Sequence, residues 1–421
     1  MASKRVVFGA IYGLILVICT LAGIEFLSSF YTPAWPARVL RSVPPANPIT
    51  AKAGAFEDQP WTALAYNSWG MRDVERPAVK PPGGPPRITF VGDSFVESAA
   101  TKLSLPAAVE KQIGPARPIE AINLGVAGTD PKSYYYRVKD VAMKLSPDAL
   151  VLVFCTGNDF VAPDDSYPPW PALVDESPGS SLVGSIMPRF NWLLVNRLRL
   201  SQFLRGQSPK PIDEIEMLYG LMQMPLAERM DRLVPYVHKA YHPELSEARI
   251  REILSRGDNR LTRTAEDKSG DHEYFAGWIL DSVVNAETTN YDIARNREDA
   301  ARLVGREIEA TLSWLEAIAG LAREQNVPLL IFFAPVGTVD PAYADFWSPW
   351  PRYYAWNWLC DERLSRLVAA LAKKNIRFVD LREDLKGVPG TYRKLDGHWT
   401  EKGEAIVANR MALELGQLLK R

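Results

Sequence analysis

The sequence is poor in the residues on which several kinds of function depend. It has three cysteines among 421 residues. Cys19 lies in an apolar N-terminal segment, and Cys155 and Cys360 lie in apolar or aromatic surroundings. Three such residues give neither a disulfide framework nor paired metal-ligand spacing. A single Cys155–Cys360 bridge stays open as an alternative, but a buried free thiol is the commoner state of so small an apolar side chain. The formal net charge is −1, with no basic stripe and no acidic tail, which argues against a nucleic-acid partner held through phosphates. There are four histidines. His238 and His242 are four apart, as helical zinc ligands are, but the metalloprotease glutamate and a third ligand are missing, so no metal is expected. The Gly-x-Ser-x-Gly elbow is absent. The paired glycines between Pro81 and Pro86 are not followed by Gly-Lys-Ser/Thr, so they form no phosphate loop. No repeat and no cofactor motif is present.

What is present fits a folded protein with a membrane segment. A hydrophobic fraction of 47% and a charged fraction of 24% match a globular chain. Lys4 and Arg5 precede an uncharged run from Val6 to Ile24, at the length a spanning helix needs. The positive flank should stay in the cytoplasm and place the chain after Phe26 outside. The rival is a cleaved signal with small residues at Ala22 and Gly23; the run is longer than a usual signal core, which favours an anchor. Both readings export the remainder. Residues 1–30 are therefore expected to be an anchor and 31–86 a proline-rich connector.

From Arg87 the pattern becomes regular. Short apolar runs predict strands at Ile88–Val91, Ile119–Leu124, Ala149–Phe154, Val327–Phe333 and Ile376–Val379. Helices are expected at Pro106–Ile113, Tyr134–Leu145, Leu364–Ala372 and Glu401–Leu419. Another begins at Asn296, with Val304, Ile308, Leu312, Leu315 and Ile318 on one face. Alternation of this kind predicts an α/β fold of three layers, a parallel five-stranded sheet covered by helices on both faces. Residues 87–161 and 296–421 would form it. Residues 162–295 break the pattern and read as a large, mostly helical insertion with short helices such as Ile212–Met224 and Leu245–Leu254. An insertion of this length at a strand's carboxyl end is either a functional lid or a surface elaboration.

Four short motifs fall just after strands, where open α/β sheets bind ligands. Val91-Gly92-Asp93-Ser94-Phe95 puts a serine at the mouth of a helix, where backbone N–H groups favour negative charge; alone it reads equally as a turn or N-cap. Asn123-Leu124-Gly125-Val126-Ala127-Gly128 can bring a backbone N–H close to a ligand at Gly125, or be a plain turn. Thr156-Gly157-Asn158-Asp159 offers an amide donor at Asn158. Leu395-Asp396-Gly397-His398-Trp399 places a carboxylate two residues before a histidine, as needed to fix an imidazole that takes a serine proton; the bland alternative is a surface histidine.

Together the four motifs, in this order, resemble the SGNH hydrolase family, also called the GDSL esterase/lipase family. The resemblance covers Arg87–Asp159 and Val327 to about Leu415. It implies a flavodoxin-like SGNH fold, with Ser94 as nucleophile, His398 as base and Asp396 as its acid partner. It also implies an oxyanion hole made by the Ser94 N–H, the Gly125 N–H and the Asn158 side chain, with no cofactor. The family often spaces its Asp and His by three, whereas here the spacing is two. That variant is similar to SGNH-like proteins handling acetyl groups on exopolysaccharides. Asn67-Ser68-Trp69-Gly70-Met71-Arg72 is similar to a lead-in found before membrane-anchored SGNH domains.

The expected function is ester hydrolysis outside the cytoplasm, on an acylated glycan or other ester. The alternative is an O-acyltransferase using the same residues on an exopolysaccharide. A non-enzymatic envelope protein on a decayed SGNH fold is a third reading, against which the intact Ser94, Asn158, Asp396 and His398 speak. Phe346, Trp347, Trp350, Tyr353, Tyr354, Trp356 and Trp358 crowd one segment; they are expected either to line the site or to anchor the insertion.

Overall fold

The computed structural model describes residues 2–28, 71–74, 76–98, 103–115, 117–162, 224–264, 277–288 and 296–419, with a few single positions between them. Most of the expected connector, most of 163–216 and the segment 265–276 lie outside the described residues, as do Ser68, Trp69 and Gly70 of the lead-in. The chain forms two compact units, 1–47 with 66–70 and 173–210, and 48–65 with 71–172 and 211–421.

In the first unit, α1 (Ala2–Ser28) is one continuous helix. Its stretch Ile11–Ser28 has a mean hydropathy of 2.1, so it is long and apolar enough to cross a membrane. Phe8, Ile11 and Leu14 are exposed along it. Near its end, the Glu25 carboxylate accepts the backbone N–H groups of Arg189 and Phe190.

The second unit is built on five strands, β1 (Arg87–Gly92), β2 (Glu120–Gly125), β3 (Ala149–Cys155), β4 (Leu329–Ala334) and β5 (Phe378–Asp380). All pair in parallel, in the order β2-β1-β3-β4-β5. This is the flavodoxin-like order, which reverses direction between β1 and β3 and opens a crevice at their carboxyl ends. Every residue of β1, β2 and β3 is buried, which is why they read as unbroken apolar runs rather than alternating ones.

Helices around the sheet and the site include α2 (Ser94–Glu97), α3 (Leu105–Ile113), α4 (Pro131–Asp140), α5 (Leu226–Ala240), α6 (Glu247–Leu254), α7 (Gly277–Thr288), α8 (Arg297–Leu303), α9 (Glu307–Glu324), α10 (Pro341–Trp347), α11 (Pro351–Leu371) and α12 (Glu401–Leu418). On one side of the sheet, Phe90, Val151 and Phe332 join one core with Val109 of α3 and Met411 and Leu415 of α12. The alternate strand residues Val91, Leu152 and Ile331 are equally buried and point to the other side. There α4 packs on β1 and α9 on α4.

Three expected helices have different bounds. The one expected over Tyr134–Leu145 ends at Asp140 and continues as a 3-10 turn, Ala142–Leu145. The one from Asn296 is broken at Val304, whose ψ of 123° is extended. Gly305 follows, its N–H held 2.9 Å from Glu307 Oε2, and α9 starts anew. Val304 therefore does not share a helical face with Leu315. The helix ending near Ala372 starts at Pro351, because proline is well suited to a first helical turn.

At the end of the sheet opposite the crevice, Arg87 is fully buried. It pairs with Glu120 at 2.7 Å and donates to the carbonyls of Pro77, Ala78 and Leu145. It thus fixes the segment before β1 to the sheet edge with every charge-bearing nitrogen satisfied.

Candidate active site

Ser94 follows β1 directly, as the first residue of α2. Asp93 caps that helix, its carboxylate accepting the Phe95 N–H at 2.9 Å. From the far end of the chain, the turn before α12 brings in His398, whose Nε2 lies 2.7 Å from Ser94 Oγ. Its Nδ1 lies 2.9 Å from Asp396 Oδ1. The carboxylate approaches off the N–H axis, so this second contact is a close charge pair rather than an aligned hydrogen bond; such contacts commonly tighten only when substrate binds. Phe95 packs against the imidazole at 4.9 Å and against Trp399 at 4.6 Å, so the ring is gripped on its face.

The charges along this line shift both titrating groups. Burial opposes ionisation of Asp396, but the charge and close contact of His398, with the Arg393 charge, outweigh that and hold the carboxyl below its usual value. Burial likewise opposes the imidazolium of His398, yet the charge and close contact of Asp396, with Asp93, raise it above its ordinary value. At Asp93, burial dominates and pushes the carboxyl up, against the Phe95 N–H, the His398 charge and a hydrogen bond from the Asn158 side chain.

The position of the His398 loop depends on a residue absent from the sequence expectations. Asp340 is fully buried. Its carboxylate accepts the backbone N–H groups of Gly390, Thr391 and Tyr392 at 3.1, 2.8 and 3.0 Å, and that of Ala342 at 2.8 Å. Five residues on from Thr391, Asp396 begins the segment that ends in His398. The only sequence signal for Asp340 is Asp-Pro ahead of a helix, an ordinary N-cap pattern.

The expected oxyanion donors divide. Asn158 lies on the turn after β3 and lines the same cavity as Ser94 and His398. Neither Gly125 nor Gly128 lines it, and the Gly125 N–H is already donated to Asn123 Oδ1 at 2.8 Å. A glycine is needed there for packing, since a Cβ would fall 2.3 Å from the Glu97 nitrogen. Further along the same turn, the N–H of Val126 goes to Gly92 O and that of Ala127 to Glu97 Oε2. The next N–H belongs to Gly128, which has φ +73°, no bulk within 4 Å of a Cβ and no hydrogen bond among the described residues. This turn is tied to the Asn158 turn through Tyr134, whose hydroxyl meets both oxygens of Asp159 at 2.9 Å and the Thr129 carbonyl at 3.1 Å. Burial and the Asp93 charge push Asp159 well above the usual carboxyl range.

Ser94, Asn158, Asp396 and His398 open into a cavity of about 640 Å³. Helix α7, from the expected insertion, forms one wall with Trp278 and Asn285. It is fastened to α11 by Glu287, whose Oε1 accepts the N–H groups of Arg352 and Tyr353 while Oε2 pairs with Arg256 at 2.7 Å. The aromatic cluster is split between the two expected roles. Trp347 and Trp350 are fully buried, with indole N–H groups donated to the Lys394 and Ile253 carbonyls. Tyr353 and Trp356 line the cavity. Cys155 and Cys360 are buried and unbridged. His242 sits between Glu244 and Asp281, each at 3.1 Å, and its carbonyl meets His238.

No protein-family profile and no curated protein matches the sequence. Among solved structures, the chain is similar to a Bacteroides fragilis protein assigned as an acylhydrolase, with 10% identity over 80% of this chain and 91% of that one, at a TM-score of 0.34. It is also similar to a GDSL-like lipase from Bacteroides thetaiotaomicron, with 13% identity over 89% of this chain and 98% of that one, at a TM-score of 0.33.

Proposed function

We propose that this chain is a serine ester hydrolase of the SGNH type. The observation that carries this reading is the 2.7 Å contact between His398 Nε2 and Ser94 Oγ, backed by Asp396 and opening into a cavity large enough for a small ester. Ser94 Oγ attacks the ester carbonyl and passes its proton to His398 Nε2. The carbon–alkoxy bond breaks, and the alkoxide leaves with that proton. Water then attacks the acyl-serine, giving its proton to His398, and the carboxylic acid departs as Ser94 recovers the proton. The tetrahedral oxyanion is held by the Ser94 N–H, the Asn158 amide and the Gly128 N–H in place of Gly125. Each donor is worth about 3–4 kcal/mol in the transition state.

Asn158 can serve although it already donates to Asp93, because a primary amide has two donor hydrogens. Asp93 therefore orients the amide as well as capping α2. With Lys4 and Arg5 ahead of its apolar stretch, α1 serves as the anchor and places the hydrolase outside the cytoplasm, where ester-bearing glycans are available substrates.

An O-acyltransferase is the second reading. Trp278 and Trp356 are 47% and 44% exposed and both line the cavity, as a platform for a sugar acceptor would. The test is incubation with a short-chain aryl acetate, with and without an oligosaccharide. Free acetate in both cases is the hydrolase result, and acetylated sugar is the transferase result. Turnover by Ser94→Ala equal to the wild type would overturn both.

A further inference from the structure

Arg352 stands apart by its place: Arg117, Arg232 and Arg323 also lack a carboxylate partner, but they are exposed and lie outside the cavity. Arg363, Arg366, Arg377, Arg382 and Arg410 each pair with a carboxylate on their own or a neighbouring element. Arg352 lines the cavity, and its guanidinium has no ion pair or hydrogen bond among the described residues. It also stands in the first turn of α11, where the helix dipole disfavours a cation. Glu287, which meets the Arg352 backbone, is taken up by Arg256 and by the backbone N–H groups of Arg352 and Tyr353. A cation in an unfavourable place without an internal partner is suited to an external anion. Its planar fork fits a carboxylate in two-point contact.

The indoles beside it supply a second recognition element. Trp356 follows Arg352 by one helical turn on α11, so the two side chains share a face. Its ring tip reaches over the turn after β3, where a Cβ on Gly157 would lie 3.3 Å from Trp356 Cη2. That places the ring edge at Gly157, the residue before Asn158. Trp278 forms part of the facing wall on α7. Both rings remain about half exposed, whereas Trp347 and Trp350 are fully covered. Large indole faces left open in a concave site are binding surfaces for flat, partly apolar groups.

We propose that the substrate is an O-acylated sugar acid: Arg352 binds the ring carboxylate, Trp356 and Trp278 cover the ring faces, and the acyl ester is presented to Ser94. This assignment rests on the ester-hydrolase reading and adds the chemistry of the alcohol portion. Arg352 acts here as a specificity residue and takes no part in the proton transfers.

The test compares kcat/KM of the full-length chain in detergent on two methyl glycosides, O-acetylated glucuronic acid and O-acetylated glucose. The acid is expected to be preferred by at least about 10-fold, the range of a charge-assisted hydrogen bond. In Arg352→Gln, with an unaltered Tm, the acid-to-neutral ratio falls to near unity, mainly through KM; Arg352→Lys recovers part of it. Equal rates on both esters in the wild type, or an undiminished ratio in Arg352→Gln, overturn the sugar-acid assignment and leave ester hydrolysis standing. Hydrolysis of neither these esters nor an aryl acetate overturns both.

Discussion

His398 Nε2 and Ser94 Oγ are 2.7 Å apart across 304 positions of the chain. Parallel pairing makes that closure possible: β1 delivers Ser94 at its carboxyl end, and the turn ahead of α12 returns to the same rim. If this contact is the proton path, Ser94→Ala abolishes ester turnover by a factor of about 10⁴ or more while the melting temperature stays within about 2 °C. Steady-state hydrolysis of an aryl acetate and a thermal melt measure both.

The base must be neutral to accept the proton, and its environment holds His398 above its ordinary 6.5. Activity is therefore lost as pH falls through that raised value, so the acid limb of kcat/KM has its midpoint above pH 6.5. Asp396→Asn removes the largest force raising it. The limb then moves to lower pH, and kcat drops by about 10⁴ from loss of the correct tautomer. A limb that stays in place would separate Asp396 from His398 functionally.

Asp340 holds the His398 loop without touching the imidazole. Asp340→Ala strands several buried N–H groups, at about 3 kcal/mol or more in total. At temperatures well below its lowered Tm, the variant is expected to lose kcat as well, because Asp396 and His398 are no longer held to within the tolerance that proton transfer requires. Full kcat in a folded Asp340→Ala protein would show that the loop positions itself.

The two glycines of the β2 turn are expected to respond in opposite ways. Gly125→Ala puts a methyl group against the α2 backbone and should cost about 2–3 kcal/mol of stability. Gly128→Ala meets open space but strains a positive φ, at about 1–2 kcal/mol. It should lower kcat by about 10-fold or more through displacement of its N–H. Melts alongside kcat on both variants distinguish a packing glycine from a donor glycine.

Glu404 is nearly fully buried on α12, with Thr101 Oγ1 donating to it at 2.8 Å. Burial pushes its carboxyl up to about 7, against the hydrogen bonds of Thr101 and Ser98 and the Arg72 charge. A folded value above the unfolded 4.5 favours folding of the protonated form. That contribution is fully present below pH 4.5 and is lost as pH rises through about 7. Glu404→Gln removes this dependence, so the variant gains on the order of 1–3 kcal/mol relative to wild type at pH 8 and little at pH 5. Urea melts at the two pH values measure it.

The sequence alone determined the elements whose cause is local. Unbroken apolar runs specified strands buried on both faces, and Gly-Asp-Ser, Gly-x-Asn-Asp and Asp-x-His specified turns at their carboxyl ends. An uncharged run after Lys4 and Arg5 specified one long apolar helix. Only the tertiary structure decided the relationships set by packing between distant segments. Asp340 looks like an N-cap until the loop from Gly390 to Tyr392 folds onto it. Gly125 and Gly128 are equivalent in a linear motif, and the approach of α2 alone makes one a packing contact and leaves the other's N–H open. The aromatic cluster divides into core and cavity wall according to which side of α10 and α11 meets Ile253 and which faces Ser94. Helical spacing cannot settle that division, because aromatic residues lie on more than one side of those helices and only the long-range contacts tell them apart.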